Sequence, residues 1–187
     1  MLSSVIFTAY MASVLGCISA TPVAHAPRQA VQCNPNFEGA GVSIIDNGVE
    51  WGVSQPVAGT VLERNLGSFP LNATAEWHVQ QTGAYPPTYI VKNINNNDLV
   101  VDINTDGLLT LENIDSTKET QIWRISCNQC ISGASSTPGG GEFAKGCKII
   151  SAPSGLCVRV EPAGVNIGTG ECQSVVAQNW DFWTATA

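Results

Sequence analysis

From Val42 onward the chain is a succession of short runs rich in Val, Ile, Leu, Thr and aromatic residues, cut by Gly, Asn, Pro and Asp. No window sustains apolar residues at i, i+3, i+4 and i+7, the spacing a half-buried helix needs. The runs instead have strand length and strand composition, and the residues between them are turn formers. Twelve strands are predicted: Val42–Ile45, Val49–Val53, Thr60–Glu63, Trp77–Gln80, Tyr89–Asn93, Leu99–Ile103, Leu108–Glu112, Ile122–Ser126, Lys148–Ser151, Cys157–Val160, Val165–Gly168 and Trp180–Trp183.

The tryptophans set a period on these strands. Gln121-Ile122-Trp123 and Gln178-Asn179-Trp180 share the pattern Gln-x-Trp, and Ala75-Glu76-Trp77 occupies the matching place in the first third. Trp77 and Trp123 are 46 residues apart, and Trp123 and Trp180 are 57 apart. The excess of 11 equals the length of the low-complexity insert Ile131–Gly141, ISGASSTPGGG. With that insert set aside, each third holds four strands and closes on a Trp. Four-stranded units of this size cannot bury a face alone, but three around an axis close a barrel and remove its edges. The expected fold is therefore all-β, a β-trefoil of three four-stranded repeats. The competing reading places the three Trp residues in a β-sandwich core by coincidence. Trp51 and Trp183 fall outside the repeat and are expected in the core or its lower cap.

The N-terminus changes the picture of where the protein works. Val5 to Ile18 form an uncharged apolar run, too short to span a bilayer comfortably and suited to a signal-peptide core. Residues 1–20 are the expected signal peptide, with small-residue cleavage sites after Ala20 or as late as Ala26. The segment lacks the usual leading Lys or Arg. Val14-Leu15-Gly16-Cys17 offers a loose lipoprotein box as an alternative. Residues 33–187 form the expected single domain. Cleavage removes Cys17 from the seven cysteines and leaves six: Cys33, Cys127, Cys130, Cys147, Cys157 and Cys172. An even count in a secreted chain reads as three disulfides. A zinc site built on Cys127, Cys130, Cys147 and Cys157 is the weaker alternative in an oxidising compartment. Asn72-Ala73-Thr74 is a glycosylation sequon and agrees with the secretory route.

Charge narrows the partners. The formal net charge is −7, and only 12% of residues are charged. An acidic surface repels phosphate backbones, so nucleic acid is not an expected partner. No basic amphipathic stretch points to a membrane surface.

The Gln-x-Trp pairs resemble the ricin B-type lectins. Two strand motifs add to the resemblance. Leu99-Val100-Val101-Asp102-Ile103 looks like the family's Cys-x-Asp-Val strand, and Leu156-Cys157-Val158-Arg159-Val160, followed by Ile167 and Cys172, looks like the same strand with its disulfide partner. The resemblance spans Cys33 to Trp183 and implies a β-trefoil that binds carbohydrate. It implies that Trp fills the barrel and that the Gln amide bonds backbone. It also implies a sugar site of three parts: a carboxylate gripping two hydroxyls, an aromatic stacking on the pyranose, and an amide just before the last Trp.

Residue by residue, only the second repeat keeps the carboxylate and the amide, as Asp102 and Gln121. Its stacking position falls near Glu112, and Tyr85 or Tyr89 are the rings closest in sequence that could replace it. The third repeat has Arg159 in the carboxylate place and Gly170 in the aromatic one. The first has Gly52 and Glu63. Asp102 and Asp106 also have a structural reading, as acceptors for the amides of the turn Asn104–Gly107. The resemblance further implies a bridge between Cys157 and Cys172 within one repeat. For the rest, Cys130–Cys147 is expected to clamp the insert and Cys33–Cys127 to tie the first strand to the third repeat.

Catalytic machinery is not expected. After cleavage past Ala26 one histidine remains, His78, and no Gly-x-Ser-x-Gly elbow or free thiol accompanies it. Glu50, Glu63, Glu112 and Glu142 lie in no motif. No cofactor is implied. The expected function is a secreted carbohydrate-binding module that takes a glycan weakly. The alternatives are a β-trefoil proteinase inhibitor presenting Ile131–Lys145, or a secreted recognition protein that binds a protein ligand and has no sugar site.

Overall fold

A computed structural model of the chain describes residues 32–46, 48–66, 76–160, 166–173 and 178–185. The expected signal segment with Cys17, and the sequon at Asn72, lie outside the described residues. The strands are β1 (Val42–Asp46), β2 (Val49–Val53), β3 (Leu62–Leu66), β4 (Trp77–Gln81), β5 (Tyr89–Asn93), β6 (Asn96–Ile103), β7 (Leu109–Asn113), β8 (Trp123–Cys130), β9 (Glu142–Ser151), β10 (Cys157–Val160), β11 (Ile167–Gly170) and β12 (Trp180–Thr184). Each of the twelve overlaps a strand expected from the sequence.

Six of them close a barrel. Antiparallel pairing runs from β1 to β4, β5, β8, β9, β12 and back to β1. The other six form the hairpins β2–β3, β6–β7 and β10–β11. These hairpins touch in a triangle through the bridges Val61↔Thr110, Leu108↔Gly168 and Glu63↔Asn166. The arrangement is a β-trefoil with one barrel pair and one hairpin pair per repeat.

Period-two alternation explains which side chains fill it. Val42, Ile44 and Asp46 of β1 are buried, as are Tyr89, Val91 and Asn93 of β5 and Trp180, Phe182 and Thr184 of β12, while the residues between them are partly exposed. Trp77, Trp123 and Trp180 begin β4, β8 and β12, and all are fully buried. At about 25 cal/mol per Å², burying on the order of 200 Å² of indole contributes about 5 kcal/mol each. The indole N–H of Trp123 donates to the Val101 carbonyl at 3.3 Å, and that of Trp180 to Val158 at 3.2 Å. Trp51 stands at the corresponding place on β2, so it belongs to the repeat after all. Its ring meets Trp180 edge-on at 5.4 Å and Trp77 at 6.1 Å. The small residue of the other repeats is thus replaced by a large one, and the buried indole nitrogens of Trp51 and Trp77 have no hydrogen-bond partner.

β8 and β9 are longer than the sequence suggests, because their pairing continues from Trp123↔Ser151 to Cys130↔Ala144. The insert 131–141 is the connection between them, and it is pinned to the barrel. Ala134 is buried and donates its N–H to Asn36 O at 2.9 Å, and the Gly141 N–H reaches Thr184 Oγ1 at 3.1 Å.

Three disulfides staple the described chain: Cys157–Cys172, Cys127–Cys147 and Cys33–Cys130. The first is the intra-repeat bridge that was expected. The pairings Cys130–Cys147 and Cys33–Cys127 are corrected. Register places Cys147 directly across from Cys127. Cys33 does lie beside Cys127, but through backbone: the two exchange N–H···O bonds of 2.9 and 2.8 Å. With the Cys127 sulfur taken by β9, that of Cys33 joins Cys130.

Candidate functional site

The second repeat brings its two candidate residues together. Asp102 stands near the end of β6, and Gln121 ends a 3-10 turn, Glu119–Gln121, that leads into β8. The Gln121 amide nitrogen donates to Asp102 Oδ2 at 3.1 Å and to the Asn113 carbonyl at 3.0 Å. Its oxygen accepts the Asp115 N–H at 2.9 Å. An amide has two N–H donors, and both are engaged here. Gln121 is 1% exposed. Its side chain therefore holds Asp102 and the loop after β7.

Asp102 is 3% exposed. Its Oδ1 accepts the Ile103 N–H at 2.7 Å, and Lys118 Nζ lies 3.5 Å from Oδ2. A carboxylate offers about four lone-pair sites, so the group retains acceptor capacity. Lys118 covers it with a side chain that is 48% exposed. The ammonium is solvated while the carboxylate is buried, so a ligand that displaces Lys118 has to replace its bond to Asp102. The turn amides are served by a neighbour instead. Asn104 Oδ1 accepts from Asp106 N at 2.9 Å and Leu108 N at 3.0 Å, with Gly107 at φ +78° closing the turn. The turn-capping role expected of Asp106 thus belongs to Asn104.

Gln178 repeats the clasp without a carboxylate. Its amide donates to Glu171 O at 2.7 Å, and its oxygen accepts Gln173 N–H at 2.7 Å. In the third repeat the Arg159 guanidinium lies against Gly170, so close that a Cβ there would sit 2.6 Å from it. Arginine thus occupies the place of both the carboxylate and the stacking ring. In the first repeat Gly52 faces Glu63. Asp102 faces Thr110 and Arg159 faces Gly168, two residues before Glu112 and Gly170. The same offset puts the first repeat's stacking position at Asn65, not Glu63.

The candidate rings separate cleanly. Tyr89 is buried in the barrel with its hydroxyl donated to Pro35 O at 3.0 Å, so it is no platform. Burial also pushes its phenol pKa upward. Tyr85 is 97% exposed in the β4–β5 connection. That connection is fastened at its base by Thr82 N–H to Thr88 O at 2.9 Å. Among the described residues no group of three or more His, Cys, Asp or Glu side chains is placed to hold a metal.

Sequence reasoning passed over a second carboxylate group. Asp46 is buried, and burial followed by the nearby Asp181 raises its pKa to about 6, with Lys148 opposing the shift. Lys148 is itself shifted down, chiefly by burial. The signal available was weak: an Asp at an inward position of β1.

No protein-family model matches the chain, and no curated protein matches it in sequence. Solved structures do. A designed threefold-symmetric protein, ThreeFoil, is 17% identical with a TM-score of 0.54, covering 76% of this chain and 97% of the design. The C-terminal half of an earthworm R-type lectin, solved with GalNAc, is 12% identical with a TM-score of 0.53, covering 78% and 99%. A lectin of Polyporus squamosus, bound to a Neu5Ac-containing epitope, is 18% identical with a TM-score of 0.53, covering 80% of this chain and 50% of the lectin. The chain spans far less of other neighbours, 17% of a mosquitocidal holotoxin and 32% of a clostridial endo-β-galactosidase. At these identities the likeness concerns architecture, and what the chain shares with the lectins and the design is the β-trefoil fold.

Proposed function

We propose that this protein is a secreted carbohydrate-binding module of the ricin B type, without enzymatic activity, whose sugar site is in the second repeat. The observation that carries the reading is the Gln121–Asp102 contact at 3.1 Å. It joins the carboxylate and the amide at the two positions the family uses. Asp102 accepts two sugar hydroxyls once Lys118 moves aside, and its charge makes each bond stronger than a neutral one. Gln121 acts through Asp102 as a positioning residue. Tyr85 is the exposed ring offered for stacking. With no ring on β7, affinity is weak, in the millimolar range, or about 4 kcal/mol. Three disulfides support an oxidising, extracellular location. Residues 1–20 or 1–26 are removed on export in this reading, and Asn72 carries glycan.

A glycan array followed by calorimetry on the native protein and Asp102→Asn tests it. Binding by the native protein that disappears in Asp102→Asn, measured well below the variant's melting temperature, is the expected result; the variant itself melts lower, because both Asp102 oxygens accept N–H bonds and one of them becomes a donor. One observation favours a second reading, a recognition protein or proteinase inhibitor without a sugar site: Asp102 is already partnered by Ile103, Gln121 and Lys118. That reading requires no glycan binding by the native protein. A proteinase panel run beside the array separates its two forms.

A further inference from the structure

A cleft unrelated to Asp102 lies on the outside of the barrel. It is a cleft of about 630 Å³ between the segment Phe37–Gly41, the outer face of β4 with Lys92 of β5, and Asn97 at the start of β6. Ligand clefts typically fall between about 300 and 1,000 Å³. Its floor is apolar, with buried Phe37 and Val79. Its walls are polar, with His78, Gln80, Gln81, Lys92, Asn97 and Glu38.

The segment can approach the barrel because of its glycines. Gly39 adopts φ +83°, and a Cβ on Gly41 would come within 2.4 Å of Ile94 Cδ1. His78 and Lys92 face each other across the β4–β5 pair. The His78 Nδ1 lies 2.9 Å from Asn97 Oδ1. Lys92 makes no ion pair among the described residues, although acidic groups outnumber basic ones by 15 to 8 in the chain. Glu38 lines the same cleft without pairing to it. The residues that follow the barrel tryptophans are His78, Arg124 and Asp181. The site is therefore particular to the first repeat and is not copied by the pseudo-symmetry.

We propose that this cleft binds a saccharide unit bearing a carboxylate. Lys92 pairs with the carboxylate, the amides of Gln80 and Asn97 match hydroxyl groups that both donate and accept, and Glu38 accepts from a hydroxyl. The saccharide class rests on the carbohydrate-binding reading above. The location and the preference for an acid rest on the cleft alone.

The test is a titration of the ¹⁵N-labelled secreted chain with sodium glucuronate and, separately, with glucose. Glucuronate should shift the backbone amides of Gln80, Lys92 and Asn97. Glucose should bind there about fivefold more weakly, the value of one solvent-accessible ion pair. Lys92→Gln should lower glucuronate affinity to the glucose level, and Lys92→Arg should retain it. Lys92 is only partly buried, so both variants should keep the native melting temperature. Should Lys92→Gln fold poorly, Asn97→Ala, at an exposed position, gives an independent loss of binding. No shift at these amides, equal response to both sugars, or full affinity in Lys92→Gln overturns the proposal. Shifts confined to the neighbourhood of Asp102 overturn it while sparing the second-repeat site. Shifts in the cleft alone support it while the second-repeat site fails.

Discussion

The Gln121 carboxamide is bonded to the Asp102 carboxylate at 3.1 Å across the gap between β6 and the turn before β8. Gln178 makes the same backbone clasp one repeat later, with an arginine where that carboxylate would be. The pair therefore separates what the motif glutamine does for the fold from what it does for a site.

Gln178→Ala should destabilise the protein by about 1–3 kcal/mol, through the loss of two hydrogen bonds worth about 0.5–1.5 kcal/mol each. Gln121→Ala should cost more than Gln178→Ala, because it also strips a donor from a buried carboxylate. Urea unfolding of the two variants measures the order. Equal losses would mean that the Asp102 contact adds nothing.

Trp51 is the large residue that breaks the threefold pattern of the core. Trp51→Ala should cost about 3–5 kcal/mol through the cavity it opens. Trp51→Phe should cost far less, because it keeps most of the bulk and removes a buried N–H that has no partner. Thermal unfolding of both decides it. Similar losses in the two would show that shape, not the stranded N–H, dominates.

Asp46 gives a defined pH dependence. Its folded pKa of about 6 lies above the ordinary 3.8, so the native state holds this proton more tightly than the unfolded chain does. The stability from this group is fully present below the unfolded pKa and is lost as pH rises through the folded one. Asp46→Asn should therefore exceed the native protein in stability at neutral pH, with the difference shrinking toward pH 3.8. Melting curves of both proteins across that window measure the sign. A difference that grows on acidification would refute it.

The bridges differ in the loops they close. Cys33–Cys130 spans 97 residues and Cys157–Cys172 spans 15. In the chain-entropy description these contribute about 4.7 and about 3 kcal/mol. Replacing Cys33 and Cys130 together by Ser should lower stability more than replacing Cys157 and Cys172. Non-reducing peptide mapping checks the pairing itself, and a Cys130–Cys147 peptide would contradict it.

Much of the fold is legible locally. Alternation along β1, β5 and β12 states which side chains enter the barrel, since side chains on a strand alternate faces whatever its neighbours are. The spacing of Trp77, Trp123 and Trp180 states the repeat, and Cys157 and Cys172 lie on and just beyond one local hairpin. Long-range register decided the rest. The partner of Cys127 depends on how β8 aligns with β9 around an insert, and the place of Cys33 depends on a bridge across 94 residues. The burial of Tyr89, the exposure of Tyr85 and the covering of Asp102 by Lys118 depend on chain segments distant in sequence or on turns whose path composition does not specify. So does the cleft, which exists only because the segment Phe37–Gly41 packs against strands that begin more than 30 residues later. A strand pattern encodes which face is apolar. What covers the other face is set by closure of the barrel.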